Sequence, residues 1–288
     1  MTPNPRKNPA RSATRPQGQI TRGKTAPNRL RRVDAFLAAY DPALITRCDE
    51  DFDRALYVDL GYGAEPTTTL ESAARLRRLN RQLGVLGVEI EPDRVARAQP
   101  FVDGRTDFRL GGFNLPLRTD ANGQPETVRL VRAFNVLRQY DAEEVRPAYG
   151  QIMSRVLPGG LLMDGTSDPF GRVWTANMVR RTVTGAHDWE LEALVLGLNT
   201  RGGLDPDAFQ TRLPKSFIHR MVPGDPAFRF MTDWKAAARD TRSAETWGPR
   251  AWFVAAGKEM KARGYDIARE DLWLKRGWLV WRNCGLEI

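Results

Sequence analysis

Apolar residues recur along this chain with two different periods, and their alternation predicts the architecture. Leu30, Val33, Phe36, Leu37, Tyr40 and Leu44 return every three or four positions, the stripe of an amphipathic helix. Short apolar runs follow at 55–60, 84–90, 107–110, 128–133 and 160–165, and their length and flanking turn residues predict strands. Helical stretches are expected between them at 67–82, 92–98 and 141–156, the last behind Asp141 as a cap. Thr67, Thr68 and Thr69 read as N-cap residues, with Glu71 strengthening the helix start. Strands alternating with helices imply right-handed crossovers and a parallel sheet.

After Asp168 the rhythm changes. Val173 to Arg181 and Leu191 to Leu198 read as two long strands joined near Gly185, a hairpin in place of a further crossover unit. Residues 201–226 are rich in Gly, Pro and Asp and predict a loop. Helices at 226–239 and 249–263 then lead to an expected strand pair at 271–275 and 278–282. All eight tryptophans lie beyond residue 173, at spacings that suit core and interface packing. The expected fold is α/β: a Rossmann-like, mostly parallel seven-stranded sheet with helices on both faces, plus a C-terminal β-hairpin and helical elaboration. The expected organisation is a disordered basic tail (1–26), a Rossmann-like core (27–168), a hairpin and substrate-side elaboration (169–248), and a terminal helix and strand pair completing the sheet (249–288).

Charge changes this picture only at the N-terminus. Residues 1–33 hold nine of the 44 Lys and Arg and none of the 35 Asp and Glu, so the net charge of +9 belongs to the tail and the remainder is neutral. Residues 1–26 have almost no large apolar side chains, too few to offset the entropy of ordering. The tail reads either as a solubilising extension or as an arm whose cations contact phosphates of RNA. As an extension, deleting residues 1–20 is expected to leave cofactor affinity intact. Cys48 and Cys284 stand far apart without metal-ligand spacing, which excludes a disulfide framework or zinc site and predicts a cytoplasmic protein. No run approaches the ~18 apolar residues of a membrane span.

The candidate chemistry starts at Val58-Asp59-Leu60-Gly61-Tyr62-Gly63, a strand that turns through two glycines into a helix. Glycines there permit a sharp turn and a close approach of backbone to a ligand. The next strand carries Glu89, placed to accept hydrogen bonds from ribose hydroxyls. The bland alternative is an ordinary α/β turn in which Asp59 bonds backbone amides. Lys215, Ser216, His219 and Arg220 form the densest polar cluster of the C-terminal half, with His219 the candidate general base. His187 sits beside Asp188 at the hairpin turn, and neither histidine has the partners of a metal site.

From about 55 to 165 the chain resembles a class I S-adenosylmethionine-dependent methyltransferase. Residues 58–63 resemble that family's first motif, which implies that the turn of Gly61, Tyr62 and Gly63 faces the methionine end of the cofactor, with Asp59 near the methionyl amine. Gly87-Val88-Glu89-Ile90 resembles the second, in which Glu89 holds both ribose hydroxyls beside Ile90. Arg109 to Pro116 resembles the third, bordering the adenine with Phe113 and Asn114. Ala133-Phe134-Asn135-Val136-Leu137 resembles the fourth, where Asn135 lies between transferred methyl and acceptor. Glu65 replaces the third glycine of the first motif, and Gly112 replaces a common adenine-binding acid, leaving Asn114 or a backbone carbonyl as acceptor. The Asn/Asp-Pro-Pro-aromatic signature of adenine amino-group methylation is missing, and no cysteine follows the fourth or fifth strand as in cytosine-5 methylation.

The resemblance implies methyl transfer from S-adenosyl-L-methionine to an acceptor, a small molecule favoured over RNA. Two other readings remain: a non-catalytic or nucleic-acid-associated binding protein on the same fold, and a NAD-dependent oxidoreductase, which expects a third glycine where Pro66 stands.

Overall fold

The computed structural model describes residues 16–20, 26–120, 122–183 and 188–286. Helices α1 (Arg31–Tyr40) and α2 (Pro42–Thr46) precede β1 (Leu56–Leu60), α3 (Thr67–Leu76), β2 (Val85–Glu89), α4 (Pro92–Ala98), β3 (Thr106–Leu110) and β4 (Val128–Phe134). They are followed by α5 (Ala142–Met153), β5 (Val156–Ser167), β6 (Val173–Arg181), β7 (Trp189–Leu198), α6 (Lys215–Ile218), α7 (Pro226–Asp240), α8 (Pro249–Ala262), α9 (Glu270–Trp273) and β8 (Trp278–Arg282).

The strands form one sheet in the order β3-β2-β1-β4-β5-β6-β7-β8. The first five run parallel, and β6, β7 and β8 each pair antiparallel with the strand before. Strands β2 and β4 are buried along their whole length, which is why both read as apolar runs, that of β4 interrupted by Arg129 and Arg132. One face packs on α1, α2 and α3 through Val33, Phe36, Leu37, Leu44 and Leu76. The other packs on α5 through Val145, Tyr149 and Ile152, and further along on α7 and α8 through Phe230, Trp234 and Phe253. Between β1 and β4 the strand order reverses, which opens a crevice at the carboxyl ends of the strands, the place where such sheets bind ligands.

The sheet revises several expectations. It has eight strands among the described residues instead of seven, because the 173–198 hairpin continues the sheet and does not hang from it. The cause is burial on both faces: Trp174, Ala176 and Met178 pack toward α1 while Leu194, Leu196 and Leu198 pack toward α7 and α8. The terminal strand pair is a single strand, β8. Residues 270–276 wind instead as α9 and a 3-10 turn, ending on Gly277 at φ +79°. A Cβ there would lie 2.3 Å from the carbonyl oxygen of Leu198, so a side chain at 277 would block the turn into β8. The expected loop at 201–226 contains 3-10 turns at Thr200–Gly202 and Pro206–Arg212 as well as α6. The helix expected to reach residue 82 ends at Leu76, and it starts on Pro66 without a threonine cap. Most of the tail lies outside the described residues, as do His187 and Gly185.

Candidate active site

The turn after β1 closes with Gly61 at φ +68° and Gly63 at φ +93°, conformations that favour glycine. Glu89, at the end of β2, is 1 % exposed and locks this turn from below. Its Oε2 accepts from Gly63 N–H at 3.0 Å, its Oε1 accepts from Ile90 N–H at 2.9 Å, and Arg94 stands 3.5 Å away. Leu60, Gly61, Val88, Glu89, Ile90, Gly111, Gly112, Phe113, Val136 and Tyr140 line a cleft at the strand ends.

Asp59 faces away from that cleft. Its carboxylate accepts from Arg132 Nε and Nη2 at 3.0 and 2.7 Å and from Thr69 Oγ1 at 2.7 Å. Arg132 has no exposed surface, and it also bonds Asp34 on α1 and, at 2.8 Å, Ser72 on α3. Arg75 completes the cluster, 2.6 Å from Asp34. Burial works against the Arg132 charge, yet Asp59, Tyr57 and Asp34 together hold its guanidinium protonated above the ordinary arginine value. This cluster ties β1, β4, α1 and α3 together directly beneath the glycine turn. Tyr62 also points inward, its ring 5.4 Å from Phe108 and its hydroxyl on the Arg94 carbonyl. Glu65 is exposed and lies 3.4 Å from Arg97, outside the cleft.

At the far side Asn135 adopts φ +59°, and its Oδ1 accepts from Ser167 N–H at 3.0 Å, bracing the ends of β4 and β5. His219 is exposed at the C-terminal end of α6 and does not line the cleft. Helix α6 packs on α5 and on the turn at 137–139 that follows Asn135. Ser216 joins a buried chain here: Tyr149 donates to Asp164 at 2.7 Å, and Asn177 donates to Tyr149 at 3.0 Å and to Ser216 at 2.9 Å. The cleft residue Tyr140 and the ion-cluster residues Arg132 and Asp34 carry no recognisable sequence motif.

Burial raises the Asp164 carboxyl to about 7, and Tyr149 only partly offsets it. The folded protein therefore holds a proton that the unfolded chain releases above pH ~4, so stability falls as pH rises through the window from ~4 to 7. The loss across that window is on the order of 4 kcal/mol. Thermal denaturation of Asp164→Asn is expected to lose this slope, gaining more at pH 8 than at pH 5; parallel curves for both proteins would contradict the assignment.

Five parallel strands in the order β3-β2-β1-β4-β5 carry a two-glycine turn and a buried acid on adjacent strand ends. This is a Rossmann-like α/β fold. No family model matches the chain, and no curated protein does. Solved structures similar to it include magnesium protoporphyrin IX methyltransferase from Synechocystis with bound SAH, 19 % identical over 48 % of this chain and 54 % of that one, at a TM-score of 0.34. The SAM-bound amino pentose methyltransferase of calicheamicin biosynthesis from Micromonospora echinaspora is 19 % identical over 60 % and 68 %, at 0.33. The N-methyltransferase NodS from Bradyrhizobium japonicum is 17 % identical over 39 % and 58 %, at 0.28. The chain spans about half the length of the first structures it matches.

Proposed function

We propose that this chain binds S-adenosyl-L-methionine in the cleft at the ends of β1, β2 and β4 and transfers its methyl group to a small-molecule acceptor. The observation that carries the reading is Glu89. Its carboxylate is oriented by two backbone N–H groups beside a glycine turn, in the position an acid takes to receive a ribose diol. The rest of the cleft fits the same ligand: Leu60, Val88, Ile90 and Phe113 give apolar walls, and Phe113 N–H with Asn114 Oδ1 offers one donor and one acceptor to an adenine edge. Asp59 acts at one remove, holding the turn through Arg132 and Thr69.

When bound, the cofactor supplies a methyl group already activated on a sulfonium. The protein's task is alignment, which in well-oriented reactions contributes ~7 to 11 kcal/mol. Asn135, clamped to Ser167, sets the shape of the acceptor end. His219, exposed just past α6 and outside the cleft, is the candidate base only for an acceptor long enough to reach it.

A NAD-dependent reading has less support, because Pro66 starts α3 where a dinucleotide turn needs its third glycine. A non-catalytic binding protein is favoured by one observation, that residues 17–19 lie over the cleft. Incubation with methyl-labelled S-adenosylmethionine and fractionated cell extract separates the readings. Label in the small-molecule fraction is expected. Label in RNA would move the acceptor to the tail's partner, and cofactor binding without any labelled fraction would favour the binding protein.

A further inference from the structure

The N-terminal segment 16–20 crosses the mouth of the cleft and is held there almost entirely by its backbone. Gln17 N–H donates to Asn114 Oδ1 at 3.4 Å, and Gln17 C=O accepts from Phe113 N–H at 2.9 Å. Gln19 N–H bonds the Tyr140 hydroxyl, and Gln19 C=O accepts from Gln139 Nε2 at 3.3 Å. Gly18 lies between these anchors at φ +143°, and a Cβ there would stand 2.9 Å from Tyr140 Oη, 3.5 Å from Ile90 Cδ1 and 3.9 Å from Phe113 Cε2. On the cleft side the fit is as close: a Cβ on Gly112 would lie 1.9 Å from the Gln17 carbonyl oxygen. The space left between this strap and the strand ends is about 20 Å³, room for one water and no purine.

The chemistry of the contact is specific. A purine amino group adjacent to a ring nitrogen offers a donor beside an acceptor, and Gln17 offers its own backbone N–H and C=O, from the two peptide groups that flank its Cα, in the same pairing. Both Gln17 groups engage Asn114 Oδ1 and Phe113 N–H, the pair assigned above to the adenine edge. Gly18, with no side chain, occupies the flat slot flanked by Ile90 and Phe113. Acceptor, donor and slot are thus taken by the chain's own backbone.

We infer that residues 17–19 are an internal competitor for the adenine end of the cleft, a strap that must lift before the cofactor can seat. The inference rests on the cofactor reading proposed above. It reverses the sequence-based expectation that the tail is neutral toward cofactor affinity. Because the strap and the adenosyl group exclude each other, the apparent dissociation constant equals the intrinsic one divided by the fraction of molecules with the strap lifted. A strap docked about nine-tenths of the time would weaken binding about tenfold.

Gly18→Val in the 288-residue chain tests this, since a branched side chain at φ +143° beside Tyr140 cannot dock while the folded body is untouched. Calorimetry with S-adenosylhomocysteine is expected to give about tenfold tighter binding to the variant than to the native chain. In the native chain, hydrogen exchange at the Gln17 and Gln19 amides should accelerate when the ligand is added. Equal affinities, or weaker binding by the variant, overturn the competitor and leave the cofactor reading standing. Amides that become more protected on ligand addition overturn it as well, marking the segment as a lid over bound cofactor. Binding by neither protein overturns the cofactor reading, and the strap inference with it.

Discussion

Replacing Arg132 with methionine is expected to destabilise the protein by about 3–5 kcal/mol, the cost of leaving Asp59 buried without its cation and Asp34 with Arg75 alone. Arg132 has no exposed surface and neutralises Asp34 and Asp59 at once, from three separate elements. At about 2–4 °C per kcal/mol for a chain of this size, the melting temperature should fall by roughly 10 °C. The variant has a second signature. With the guanidinium gone, the Asp34 carboxyl, which burial already raises, loses the largest charge opposing that rise and moves further up, with Ser72 and Arg75 still lowering it. Such a rise favours the folded state at low pH and is lost as pH increases, so the variant should be relatively more stable at pH 5 than at pH 8. Adding Asp34→Asn and Asp59→Asn to Arg132→Met should remove this slope and recover part of the loss. Denaturation curves at both pH values check it, and a variant as stable as the native protein at pH 8 would show that the cluster is dispensable.

The cluster also explains why part of the site could not be read from the chain. Asp59 stands where the resembling family places an acid near the methionyl amine, and nothing in Val-Asp-Leu-Gly reveals that an arginine 73 residues later will claim it. Arg132 and Arg129 interrupt an apolar run as if they were solvated strand residues. Both are buried, Arg129 by donating to the carbonyls of Leu44, Ile45, Arg47 and Ala55. A single sequence records the residue type and omits the partner. The parallel strands were legible for the opposite reason, since runs such as Val85 to Ile90 need no distant partner to declare themselves buried. Residues 271–275 misled because Leu272, Trp273 and Leu274 are apolar in either conformation; Gly277, which forces the turn, was the available signal. The strap at 16–20 left almost no trace, because it docks through peptide groups that every residue has. Only Gly18, flanked by two glutamines, distinguishes it from the rest of the tail.

Glu89 carries the second large effect. Its two oxygens are held by Gly63 and Ile90 on the protein side, leaving lone pairs for two ribose hydroxyls. Hydrogen bonds to a charged group contribute about 1.5–3 kcal/mol each, so losing both corresponds to at least a hundredfold in affinity. Glu89→Gln keeps the shape and removes the charge, and one of its two termini becomes a donor that faces an N–H group. It should therefore lose binding while the fold survives, which circular dichroism can verify in the same preparation.

The decisive measurement is calorimetric titration of the native chain and of Glu89→Gln with S-adenosylhomocysteine and with NAD. Micromolar binding of S-adenosylhomocysteine to the native chain is expected, with at least a hundredfold weaker binding to Glu89→Gln and no binding of NAD to either. Binding of NAD without S-adenosylhomocysteine, or equal affinity of both proteins for S-adenosylhomocysteine, would contradict that expectation.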